Sequence, residues 1–100
     1  MVVTEKDVRS ALRKVKDPEL GLDLVVLGLV YDIAVAEDGA VRVVISLTSP
    51  GCPVAGQILE DVRTAVLGVA GVEKADVELT FDPPWTAERI SPLIRASLGL

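Results

Sequence analysis

The only cysteine of the chain, Cys52, lies in Thr48-Ser49-Pro50-Gly51-Cys52-Pro53. Its thiol is the one thiol available as a nucleophile, and its thiolate is a soft metal ligand. One cysteine cannot close an intrachain disulfide, which leaves three readings: a buried apolar filler, a reactive thiol, or a ligand to a metal or cluster. There is no histidine, so the commonest general base and metal ligand is missing. Oxygen donors stand in two other short segments, Asp17-Pro18-Glu19-Leu20 and Asp82-Pro83-Pro84-Trp85-Thr86. Asp17 and Glu19 can supply oxygen ligands or hold a partner's basic residue, although Asp17 before Pro18 also suits a helix-ending turn. Thr48 and Ser49 can donate hydrogen bonds to a sulfur or bound anion, or simply cap the next helix. Trp85 covers a site or closes the end of the core, and the second reading is preferred.

These residues need elements to position them. Thr4 with Asp7 resembles a capping box, and Val8, Leu12 and Val15 recur at helical spacing. A first helix over residues 5–15 is predicted, stopped by Pro18. Residues 17–28 read as an ordered loop with an apolar lining. Strands are predicted over 29–36 and 40–48, with Leu29, Tyr31, Ile33 and Val35 on one face and Val41, Val43, Ile45 and Leu47 on the matching one. Those faces coincide only if Val35 pairs with Val41, which needs the three-residue loop Glu37-Asp38-Gly39 with Gly39 left-handed. Val54, Ile58, Leu59, Val62, Ala65, Val66 and Val69 form a helical stripe over 53–69, with Pro53 suited to the first turn. A third strand carries Ala75, Val77, Leu79 and Phe81 inward, and a short helix starts beyond Ser91-Pro92.

The order α-β-β-α-β-α makes an α+β two-layer sandwich, a three-stranded mixed sheet with helices on one face. The other sheet face, with Val30, Ala34 and Val44 among Asp32, Arg42 and Ser46, reads as a solvated surface ahead of a dimer contact. A helix joins the second and third strands, so they run parallel, and their carboxyl ends share an edge with the start of the first. The Asp17, Cys52 and Asp82 segments therefore meet at that edge, where open sheets of this kind place their sites. Cys52 directly precedes a helix, whose unpaired N–H groups favour a thiolate.

Composition narrows the partners. A net charge of −5 argues against nucleic acid and against an anionic membrane surface. The longest apolar run, Leu24 to Val30, is seven residues, against about 20 for a membrane helix. No secretory leader opens the sequence, so a cytoplasmic location is expected. One hundred residues form one domain, 1–100. Neither nucleotide-binding glycine pattern, GxGxxG or GxxxxGK[ST], occurs.

DPEL, then LGLVYD, then SLTSPGCP leading into a helix, then FDPPWT follow one another along the chain. This succession resembles the SufT/PaaD-like iron–sulfur assembly domain, a family related to the eukaryotic cytosolic iron–sulfur targeting factors and to the small domain preceding some Mrp-type ATPases. The likeness spans Val8 to Leu98, and Val26 departs from it where many members carry Asp. It implies an accessory, non-enzymatic role in cluster assembly or delivery to recipient proteins, in the stand-alone SufT-like form. It also implies that Cys52 is the functional thiol and a transient or shared metal or cluster ligand. Asp17, Glu19, Thr48, Ser49, Gly51, Pro53, Asp82 and Trp85 form the supporting site. No stably bound cofactor is expected, only transient iron or an iron–sulfur cluster, because the common clusters want four cysteine-like ligands. Partners are the assembly machinery, recipient apo-proteins, an Mrp-type ATPase and a second copy in a homodimer. The alternatives are a small thiol enzyme with Cys52 as nucleophile, which lacks a histidine base, and a purely scaffolding module.

Overall fold

The computed structural model describes residues 3–17, 21–48 and 55–98. Its elements run α1 (Glu5–Leu12), β1 (Val30–Val35), β2 (Ala40–Ile45), α2 (Ala55–Leu67), β3 (Lys74–Leu79), a 3-10 turn over Ala87–Arg89, and α3 (Pro92–Leu98). The order and the α+β class are those expected. None of the described helices is long and apolar enough to cross a membrane.

Thr4 caps α1 as its sequence suggests: its side chain accepts from the Asp7 N–H and the Asp7 carboxylate accepts from the Thr4 N–H. The helix ends at Leu12, three residues short of expectation. Lys14 and Val15 donate to the carbonyls of Ala11 and Leu12, tightening the last turn into 3-10 geometry. Lys16 then bridges Asp23, so the chain is already extended where a longer helix would have run.

The sheet order is β1-β2-β3, with β1 antiparallel to β2 and β2 parallel to β3. Val35 pairs with Val41 as the alternation requires. Gly39 adopts φ +88, and a Cβ there would lie 2.6 Å from the Gly71 carbonyl oxygen. Only glycine turns this corner and admits the chain entering β3 so closely.

Two inward assignments are corrected. The β1–β2 register shifts between Val30 and Asp32, leaving Tyr31 as the extra residue of a β-bulge. Val30 pairs with Ile45 and is buried in the core, the place expected for Tyr31. Phe81 lies beyond the end of β3 and is 38% exposed. Thr80 still donates to the Ile45 carbonyl, but its hydroxyl then accepts from the Asp82 N–H and the chain bends away from the sheet.

α1 and α2 pack together against the sheet, burying Val8 and Leu12 of the first and Ile58, Val62 and Val66 of the second. Leu24, Leu27 and Leu29, from the loop before β1, are fully buried with them, so that loop is part of the core. The opposite sheet face is solvated and carries an exposed ion pair between Arg42 and Glu78.

Candidate functional site

The parallel pairing of Ile45 with Leu79 and the pairing of Val30 with Ile45 put the carboxyl ends of β2 and β3 and the start of β1 on one edge. Two of the expected segments interlock there. Asp17 is 1% exposed, one of two buried polar residues among those described. Its N–H donates to the Leu22 carbonyl and its own carbonyl accepts from Gly21, so its backbone closes the turn. Its carboxyl Oδ2 accepts a long hydrogen bond, 3.5 Å, from the Thr48 hydroxyl. Burying a carboxyl group is costly unless donors surround it. Thr48 supplies one from the strand side, at the last described position before the cysteine segment. Thr48→Val should therefore lower unfolding free energy by about 1 kcal/mol, with Thr48→Ser close to the parent, in denaturant titrations. A loss for Thr48→Ser with Thr48→Val close to the parent would show that the methyl group, and not the hydroxyl, matters.

Ser46, two residues upstream, is fully buried, and its Oγ has no hydrogen-bond partner among the described residues. A hydroxyl so placed costs stability. The sequence offers no sign of it, because alternation with inward residues predicts Ser46 on the solvated face. Among the described residues no group of three or more His, Cys, Asp or Glu could hold a metal. Glu19, Ser49, Gly51, Cys52 and Pro53 lie outside the described residues.

The third segment arrives at the same end but docks differently. Trp85 is half-buried and its Nε1 donates to the Leu27 carbonyl at 2.6 Å. The Arg89 Nε donates to the Gly28 carbonyl at 2.8 Å, and its guanidinium lies 4.3 Å above the Tyr31 ring. Tyr31 returns the contact by donating its hydroxyl to the Pro83 carbonyl at 2.7 Å. Residues 83–90 thus form a strap across the loop and the start of β1, and Ile90 enters the core beneath it at 1% exposure. Trp85 packs against the edge of the core. Asp82 is exposed, and its backbone bonds locally with Thr80.

Sequence reasoning missed Tyr31 and Arg89 because both engage backbone carbonyls or a ring, partners that leave no trace in residue type. It also missed Asp23, whose Oδ1 accepts from the N–H groups of Val25 and Val26 and shapes the loop carrying those carbonyls.

Fold and edge together define a small α+β domain whose candidate chemistry sits on loops at the carboxyl ends of a mixed sheet. The family of iron–sulfur cluster assembly proteins matches residues 5–79, three quarters of the chain, and the chain belongs to that family. It is 40% identical over 96 residues to the Fe-S protein maturation auxiliary factor YitW of Bacillus subtilis, covering 96% of this chain and 94% of that one. An iron-sulfur cluster carrier protein of Synechocystis is 41% identical over 83 residues, 83% of this chain but 23% of that longer protein. A conserved hypothetical protein of Thermotoga maritima has a solved structure that superposes with a TM-score of 0.88, at 52% identity and over 99% of this chain and 97% of that one.

Proposed function

We propose that this chain is an accessory factor of iron–sulfur protein maturation, with iron or a cluster as transient cargo and Cys52 as the group that touches it. The accessory role accords with relatives named as maturation auxiliary factors and cluster carriers, and such names fit a non-enzymatic part. The observation that carries the thiol's part is the Asp17–Thr48 contact. A buried carboxyl group and a hydroxyl three residues beyond the end of β2 hold the chain at the point where it enters the segment bearing Cys52. A thiolate is the form that binds iron, and one thiolate is a quarter of what the common clusters need. Cargo is therefore shared with a donor or recipient protein, and not stored. Glu19, Ser49, Gly51 and Pro53 support the thiol, while Asp82 and Trp85 bound the same edge. The expected setting is the cytoplasm, with recipient apo-proteins and an Mrp-type ATPase as partners.

Anaerobic reconstitution with iron and sulfide tests this, followed by visible absorption and native mass. The chain alone should retain little cluster yet speed the loading of an apo-ferredoxin. A stable cluster on the monomer would overturn the sharing. No effect on loading would reduce the protein to a scaffold.

A further inference from the structure

Among the described residues, few bonds hold the strap of residues 83–90 to the rest of the chain. Three hydrogen bonds each join a side chain to a backbone carbonyl, and Arg89 stacks on Tyr31. Only Ile90 is buried, with Trp85 and Ala87 half-buried. The N–H groups of Arg89 and Ile90 donate to the carbonyls of Thr86 and Ala87, inside the strap itself. A segment with so few buried contacts opens at lower free energy than a core strand does. Ser46 lies where this strap is anchored. Its N–H donates to the Leu29 carbonyl at 2.8 Å, which sets the two residues opposite each other beyond the Val30–Ile45 pair. Alternation turns the Ser46 side chain away from Ile45 and the helices. The strap's anchors, the carbonyls of Leu27 and Gly28 and the side chain of Tyr31, lie on either side of Leu29 in the chain. That outer sheet face is exposed at Asp32, Ala34 and Arg42, yet Ser46 on it is fully buried.

We propose that residues 83–90 are a lid that closes over Ser46, and that the Ser46 hydroxyl keeps this lid poised to open. With the lid closed, Oγ has no hydrogen-bond partner among the described residues, and a buried hydroxyl left so is costly. Opening admits water, which satisfies the hydroxyl and removes that cost. The hydroxyl therefore favours the open state, whereas the apolar residues beneath the strap, Ile90 above all, favour the closed one. An alanine at 46 would fill almost the same space without the penalty, so the serine is what brings the two states close in free energy. The lid's floor is two residues upstream of Thr48, so its opening alters the wall beside the segment that carries Cys52. This goes beyond the cargo-handling reading, and neither the lid nor Ser46 needs iron to be tested.

Native-state hydrogen exchange tests this, read at the Trp85 indole N–H and the Ile90 amide against the amides of Val43 and Ile45 in β2. In the parent, the two strap protons should exchange about ten-fold or more faster than the β2 amides. Low denaturant should leave their rate unchanged, because a local opening exposes little surface. Ser46→Ala should slow the strap protons about ten-fold, with retained β2 protection showing that the variant folds. A second variant reads the opening directly: Ser46→Cys with Cys52→Ala places the chain's one thiol beneath the lid. Its alkylation without denaturant should be slower than that of an exposed thiol but faster than global unfolding allows. Strap protons that exchange in step with β2 would overturn the inference, as would a thiol labelled only on global unfolding. A Ser46→Ala strap that exchanges as fast as the parent's, or faster, would overturn it equally. Cluster loading enters none of these measurements, so the lid and the cargo-handling reading stand or fall separately.

Discussion

Cells whose only copy of this protein carries Cys52→Ala should retain the folded chain yet lose activity in their iron–sulfur enzymes, by about ten-fold or more for the most dependent clients. The size follows from chemistry. With no histidine and no second cysteine, no other side chain offers iron a thiolate or imidazole ligand. The carboxyl group of Asp17 cannot replace it, because it is 1% exposed and already accepts from Thr48. Cys52→Ser sharpens the test: it nearly keeps the shape, but its hydroxyl does not ionise near neutral pH and binds iron poorly. Both variants should unfold within about 1 kcal/mol of the parent if the thiol serves cargo and not packing. Client activities equal to the parent's, with the variant chain present at parental level, would assign the thiol a structural part. Full activity with Ser but not Ala would show that shape, and not sulfur, is what the loop needs.

How much of this was legible in the sequence depends on where the information sits. The hairpin register was, because Val35 and Val41 can share a face only through a three-residue loop, and Gly39 stands where that loop turns left-handed. The bulge at Tyr31 was not. Leu29, Val30 and Tyr31 are all apolar, and a period of two cannot show a slip inside a run without polar residues. The two Asp-Pro dipeptides are the sharpest case. Asp17 and Asp82 look alike in sequence, yet one is buried and the other exposed. What separates them is tertiary: the loop from Leu22 to Leu29 folds over Asp17, whereas Asp82 stands where the chain has just left the sheet. The strap is illegible for a related reason. Trp85, Arg89 and Tyr31 take backbone carbonyls as acceptors, and every residue has one of those.

Gly28→Ala should be among the most damaging small changes in the described chain, lowering unfolding free energy by about 2–4 kcal/mol. Two costs combine. Gly28 has φ +71, a left-handed conformation that costs a residue with a Cβ about 1–2 kcal/mol. The added Cβ would also lie 2.8 Å from the Arg89 Cβ and 2.9 Å from the Arg89 carbonyl oxygen. The second contact is with backbone, so the strap itself must move. Arg89 donates to the Gly28 carbonyl and Trp85 to the Leu27 carbonyl beside it, so movement at Arg89 weakens both locks. Gly21→Ala separates the two costs. Gly21 has the same φ of +71, but nothing lies within 4 Å of its Cβ position, so that variant should lose only about 1–2 kcal/mol. Trp85, the chain's one tryptophan, reports the difference directly: its emission should shift to the red in Gly28→Ala and stay unchanged in Gly21→Ala. Equal losses and equal spectra would mean that the strap does not bear on Gly28. The expected inequality would make the strap a working part of the wall that holds Leu24, Leu27 and Leu29 in the core, and through them the turn that buries Asp17.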